Sequence, residues 1–543
     1  MELPHRALAR LTALVAVALL LLLPAGAAAS ELRLPASQTK PPRFMDRSAN
    51  EVEAIAERAA KVREARRDGP LNPTAYIKSS GRWQVSFFRN GDEVVQVQVD
   101  DASGAILEQW SDHQVAWTMA RGYEGAFGRK LNAPYVWIPL CLLFVAPFVD
   151  PRRPFRLLHL DLLVLLGFGV SHLFFNRGEI GISVPLAYPV LVYLLVRTLL
   201  AAFRPRERAG PLVPHVPTAW LAVALAFLVA FRIGLNVVDS NVIDVGYAGV
   251  TGADRIVDGD TLYGQGFSDD VERGDTYGPV NYLLYVPFEQ ALPWSGRWDG
   301  LAAAHGAAIV FDLLVIGGLL LVGRRLRPGP GGAALGVALA YAWAAYPYTA
   351  FALESNANDS LVALACVGAL MAASAPLRGV TLALGAAAKF VPLALAPLFA
   401  RRRPLVFAAV FALTLAVVVL PFVPDGGLRE LYDRTLGYQA SRPSPFGIWG
   451  QVELDWLQTL VKVAAVGLAL LAAFVPRAAD DRRAAAMGAA IVIAIELAAT
   501  HWFYLYVVWF VPFVLVTILG AYREEPAEEA PASPPAAREP AYA

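Results

Sequence analysis

Cysteine is nearly absent. The 543 residues include two, Cys141 and Cys366, both inside apolar runs, which excludes a disulfide-stapled secreted fold and a cysteine-rich metal cluster. Charge is scarce at 17 % of residues, and Lys plus Arg balance Asp plus Glu at 46 each. A nucleic-acid partner needs a basic surplus to neutralise phosphates, so that class is set aside. What is abundant is apolar: 56 % of the chain, with a mean hydropathy of +0.47. These proportions point to a polytopic membrane protein.

A helix needs roughly 20 mostly apolar residues to cross a bilayer. Such runs lie near 133–149, 157–175, 182–203, 217–238, 301–323, 332–350, 357–375, 405–423, 456–475, 484–500 and 503–521. The arginine groups Arg152/Arg153, Arg204/Arg206/Arg208, Arg324/Arg325/Arg327, Arg401/Arg402/Arg403 and Arg482/Arg483 orient them, because positive residues stay in the cytoplasm. Alternating eleven spans satisfies every group only if 378–400 does not cross. That segment has Lys389 and Pro392 at its centre, with Arg378 and the arginine triplet at its ends. It reads as a re-entrant hairpin of two half-helices, with a single kinked span as the alternative. The fold class expected is an all-α polytopic membrane protein of about eleven transmembrane helices plus this hairpin, preceded by a small α+β extracytoplasmic domain.

Residues 1–29 carry Arg6, Arg10, an apolar run and Ala27-Ala28-Ala29, the pattern of a secretory signal, cleaved or retained as an anchor. Residues 30–130 are soluble in composition. Ser48 and Glu51 form a capping box ahead of Val52, Ile55, Ala56, Ala59 and Val62 at helical spacing. Strands follow from Trp83 to Arg89, across an Asn90-Gly91 turn to Val95–Val99, and around Ile106. With the run Asp101-Ala102-Ser103-Gly104-Ala105-Ile106, this helix and meander resemble PepSY-type modules, and imply a binding or regulatory role. Residues 131–216 hold three additional helices, 217–522 the membrane core, and 523–543 a Pro, Ala and Glu tail expected to be disordered and cytoplasmic.

The longest external loop, 239–300, holds eleven acids against three bases, Arg255, Arg273 and Arg297. Most of its carboxylates serve to keep it soluble and outside. Asp239 and Asp244 differ because they follow the span 217–238 directly. A carboxylate at that mouth is partly desolvated, which raises its basicity and suits it to take a proton from a sugar hydroxyl. Lys389, at a break in hydrocarbon, must find an anion or snorkel to an interface. Arg442, in a second external loop, has the fork that grips phosphate. His501 is a hydrogen-bonding candidate beside Trp502, Tyr504, Tyr506 and Trp509, which either stack sugar and prenyl chains or form an interfacial girdle.

The runs Ile243-Asp244-Val245-Gly246-Tyr247, Asp258-Gly259-Asp260-Thr261-Leu262-Tyr263-Gly264 and Tyr277-Gly278-Pro279-Val280-Asn281-Tyr282 resemble the first external loop of glycosyltransferase family 87. That family belongs to the C superfamily of membrane glycosyltransferases, which use polyprenyl-phosphate sugars. Ala388-Lys389-Phe390-Val391-Pro392 is similar to its K-x-x-P hairpin. Glu354 to Asp359 and His501 to Tyr506 fall where the family has polar and aromatic residues. The resemblance covers roughly 217–521. It implies a glycosyltransferase C-type fold in which Asp244, with Asp239 as fallback, is the catalytic Asp. Lys389, Arg442, Tyr247, Asp275, Tyr277, Asn358 and His501 are the candidate substrate-binding residues. Two departures bear on the acceptor: Tyr277-Gly278-Pro279 stands where the family has Tyr-Pro-Pro, and extra helices plus a soluble module precede the core.

The activity expected is transfer of a mannose-like hexose or a pentose from a polyprenyl-phosphate donor to a glycan, glycolipid or protein acceptor at the outer face of the plasma membrane. No metal or other cofactor is expected, and Asp258-Gly259-Asp260 is a weak metal candidate. A lipid or sugar transporter or flippase with an external ligand-binding domain is the rival. The absence of a matching repeat in two halves of the sequence weighs against it.

Overall fold

The computed structural model describes residues 32–122, 129–264, 267, 271, 273–476 and 480–523. The expected signal at 1–29 and nearly all of the tail lie outside the described residues, as do Asp269, Asp270 and Glu272 of the acidic loop.

The N-terminal module is a four-stranded antiparallel meander of β1 (Asn72–Ser79), β2 (Arg82–Arg89), β3 (Asp92–Asp100) and β4 (Ile106–Ser111). The expected hairpin is present: Asn90 and Gly91 both have positive φ, and Arg89 pairs with Asp92. Strand β1 was not expected, since its Asn72-Pro73 start and weak alternation give little period-two signal. The helix expected over 48–62 divides into Ala49–Ala56 and Ala60–Ala65. Its capping box is made, with the Ser48 backbone N–H donating to the Glu51 carboxylate at 2.8 Å. Trp83, Val85, Phe87, Val95, Val97 and Val99 close the core against Val52, Ala56 and Val62, all without exposed surface.

The remainder is helical. Among the described residues five helices are long and apolar enough to cross a membrane: Leu157–Phe175, Ile180–Phe203, Thr218–Asp239, Ala302–Leu326 and Pro404–Phe422. The other expected spans are shorter, broken or, as in Asp481–Ala498, more charged, so five of the eleven expected spans meet both length and composition among the described residues. Proline explains several of the breaks: Pro147 ends one helix in a tight turn, and Tyr346-Pro347 separates Gly329–Ala345 from Pro347–Glu354. Val507–Leu519 is buried at every residue, so it is surrounded by protein on all sides.

Within the bundle a buried ion pair joins two of the long helices. Arg232 donates to Asp312 at 2.6 Å, and to the Ala344 carbonyl and Thr349 hydroxyl at 3.0 and 2.9 Å. The arginine groups gather at one end of the bundle. Arg325 pairs with Asp481 at 2.9 Å, Arg482 reaches the Arg206 carbonyl, and Arg327 reaches the carbonyls of Gly520 and Tyr522. A short parallel pairing of β5 (Arg208–Ala209) with β6 (Tyr522–Arg523) lies at the same end.

Segment 378–400 has the geometry of a hairpin. Ala375–Ala388 ends at Lys389, which is extended (φ −135°, ψ 135°), and the chain then makes a tight helical turn, Val391–Leu395, and a helix, Ala396–Ala400. Both ends reach one connection: Arg378 lies 4.0 Å from Asp481, and Arg401 donates to the carbonyls of Ala472, Val475 and Pro476.

Candidate active site

The chain leaving Thr218–Asp239 runs along the segment 354–356, with the backbone N–H groups of Asn241 and Ile243 donating to the carbonyls of Glu354 and Ser355 at 3.1 and 3.2 Å. It then enters the helix Asp244–Asp258. Gly246, Gly249 and Gly252 form a bare stripe on this helix. A Cβ at each would come within 2.4 Å of the Asn356 carbonyl, 2.7 Å of the Tyr285 ring and 2.2 Å of the Tyr282 ring. The stripe lets this helix lie flat on the bundle, and so fixes the position of its first residue, Asp244.

Asp244 is surface-accessible, yet burial raises its carboxyl above the ordinary aspartate range. Protein crowded around an accessible carboxylate leaves it less bulk water to stabilise its charge. The Val245 N–H, donating at 2.9 Å, opposes that rise, followed by the charges of Arg442 and Lys389. Asp244 also raises the Tyr277 phenol, after burial itself. Carboxylate, phenol and two cations therefore share one electrostatic neighbourhood.

Lys389 forms the floor of that neighbourhood. Its ammonium lies 2.5 Å from Asp359, which also accepts from the Trp509 indole at 2.7 Å. The rings of Tyr277, Tyr506 and Trp509 surround it at 5.4, 5.9 and 5.4 Å. Lysine and aspartate are both buried, and each compensates the other. Gly278 allows Tyr277 to approach, since a Cβ there would sit 2.0 Å from the Ala387 carbonyl. Glycine at this point of the Tyr-Gly-Pro run thus presses the loop against the helix that ends at Lys389.

Arg442 and His501 stand above the floor. Arg442 is half-buried, makes no ion pair among the described residues, and has a buried Nε without a hydrogen-bond partner. His501 accepts from or donates to the Ser444 hydroxyl at 2.7 Å through Nδ1, leaving Nε2 as its second hydrogen-bonding position. Burial first, then Arg442 and Lys389, hold its pKa well below the ordinary imidazole value, so the ring is neutral at physiological pH.

The structure thus brings Asp244, Tyr277, Lys389, Arg442 and His501 together. It places four other candidates elsewhere. Asp239 pairs with Lys130 at 3.2 Å, tying the exit helix to the linker after the N-terminal module. Tyr247 is buried and stacks on Trp298 at 4.7 Å. Asp275 pairs with Arg434 at 2.9 Å. Asn358 donates to Asn281 at 2.8 Å, bracing the two loops that flank the site. The sequence reading missed Asp359, although a lysine at a helix break calls for an anion and Glu354 to Asp359 contains one. Tyr506 and Trp509 box Lys389, Trp502 donates to Glu496 at 3.0 Å, and Tyr504 lies 2.7 Å from Ser171 and Ser183.

A helical membrane bundle with a carboxylate, a histidine and an uncommitted guanidinium in one electrostatic neighbourhood has the parts of a group-transfer enzyme. Residues 276–503 match the sequence model of glycosyltransferase family 87. The match includes Tyr277, Asp359, Lys389, Arg442 and His501; Asp244 lies before it. It does not reach the N-terminal module, whose PepSY-like character rests on the short motif alone. No curated protein matches the chain. The family suggests a membrane glycosyltransferase.

Proposed function

We propose that the protein transfers a sugar from a polyprenyl-phosphate donor to an acceptor hydroxyl on the extracytoplasmic side of the plasma membrane, without a metal. Asp244 takes the proton from the acceptor hydroxyl as its oxygen bonds to the sugar's anomeric carbon. The bond from that carbon to the phosphate oxygen breaks, and the lipid phosphate leaves with the electron pair. Arg442 receives the charge, because Lys389 is already committed to Asp359; Lys389 adds a longer-range field and holds Tyr277 in place. The single observation that supports this reading most is Asp244 itself, the first residue of a helix laid on the bundle, with a carboxyl made more basic by burial and within the electrostatic reach of Arg442 and Lys389. The donor class and the side of the membrane rest on the family resemblance and on the arginine pattern.

Purified protein incubated with radiolabelled polyprenyl-phosphate sugars and candidate acceptors should give a glycosylated product. Asp244→Asn should lower the rate by about 10²–10⁴-fold, the range for loss of a general base. Since the base must be ionised, activity should fall on acidification through a pKa above the ordinary aspartate range, and that limb should vanish in the variant. Full activity in Asp244→Asn removes Asp244 from the role.

A further inference from the structure

Trp117 lies outside the family 87 region, in the segment that follows β4, yet it packs on the candidate site. Its indole stacks on His501 with centroids 6.3 Å apart and planes 30° apart, and it meets Phe446 edge-on at 5.4 Å. Phe446 belongs to the loop whose Ser444 hydroxyl holds His501 Nδ1. Ser444 fixes one atom of the imidazole; Trp117 and Phe446, with Tyr506 edge-on at 5.8 Å, fix its plane.

The segment that carries Trp117 is clamped on both sides. Toward the sheet, Arg121 donates to Gln96 on β3 at 2.5 Å and lies 5.7 Å from the Trp110 ring on β4. Toward the bundle, the Gln114 amide donates to the Gly178 carbonyl at 3.2 Å. Gly122, at φ +61°, approaches Gly178 so closely that a Cβ would lie 2.1 Å from its nitrogen. The module is therefore docked beside the site, and Trp117 is its point of contact.

We infer that Trp117 is a positioning residue supplied by the N-terminal module, which sets the His501 ring and closes the Arg442–Phe446 loop over it, so that transfer requires the docked module. The inference rests on the glycosyl-transfer reading for its catalytic consequence and on the His501 packing for its structural one, and the two are tested separately. Full-length protein in lipid nanodiscs carrying Trp117→Ala should lose about tenfold or more in kcat, with donor KM changed by less than about threefold, since a misplaced group costs rate more than binding. Trp117→Phe, which keeps a flat ring, should recover most of the loss. In parallel, histidine-labelled NMR, with His501 identified by His501→Gln, follows its titration. The groups facing this ring are Arg442, Lys389 and Tyr506; removing the indole admits water without changing them, so the midpoint should rise toward the ordinary imidazole value in Trp117→Ala.

A kcat in Trp117→Ala within about twofold of wild type overturns the inference whatever the titration does. Should the wild-type protein transfer no sugar from any polyprenyl-phosphate donor, the glycosyl-transfer reading fails on its own. The titration then decides Trp117: a raised midpoint supports the packing role and an unmoved one overturns it. If Trp117→Ala does not fold, Trp117→Leu, with bulk but no ring, carries both measurements.

Discussion

Two arginines in the bundle have opposite surroundings. Arg232 is fully buried and meets Asp312, which accepts a second bond from the Trp343 indole at 2.8 Å. Arg442 is half-buried and has no carboxylate partner among the described residues. The first is a brace: removing either partner leaves a charge stranded in a low-dielectric interior. The second keeps its charge available for something that arrives. The contrast also separates two aspartates at one helix exit, Asp239 on Lys130 and Asp244 within reach of Arg442 and Lys389.

The contrast breaks most visibly at Asp312. Asp312→Ala should cost about 3–5 kcal/mol, the range for an uncompensated buried partner, read as a large drop in the unfolding temperature of the detergent-solubilised protein. An unchanged transition would mean that Arg232 is not dependent on its pair. Arg442→Ala should do the reverse, lowering transfer by about 10²-fold while thermal unfolding stays within about 0.5 kcal/mol of wild type; a loss of stability matching the loss of rate would make Arg442 another brace. The smallest effect belongs to Asp239→Asn. Its partner Lys130 is 60 % exposed, so the pair is worth at most about 1 kcal/mol and transfer should be unaffected. A rate loss like that of Asp244→Asn would place both aspartates in the chemistry.

Much of this was legible in the sequence where a physical cost forces a choice. Arginine cannot sit in hydrocarbon without partners, so the arginine groups marked one end of the bundle, where Arg378 and Arg401 at the two ends of 378–400 also find their partners. A lysine at a helix break and an aspartate just past a span were conspicuous for the same reason. What escaped was pairing across long sequence distances. Nothing local says that Lys389 takes Asp359 rather than a ligand, or that Asn358 and Asp275 spend their polar groups on Asn281 and Arg434. Tyr247 reads like a sugar-binding tyrosine, but the glycine stripe beside it turns the helix so that it packs under Trp298. Trp117 gave no signal because its partner, His501, lies at the far end of the chain.

The helix Val507–Leu519 has a consequence for how the molecule comes into being. It leaves the ribosome after the helices it packs against, yet every one of its side chains is buried by them. Until it is inserted, those helices have no centre to pack on, and Asp359 lacks the indole of Trp509. The interior of the protein is therefore completed by a helix made after those it joins, and a chain stopped short of that helix would lose the centre of its bundle.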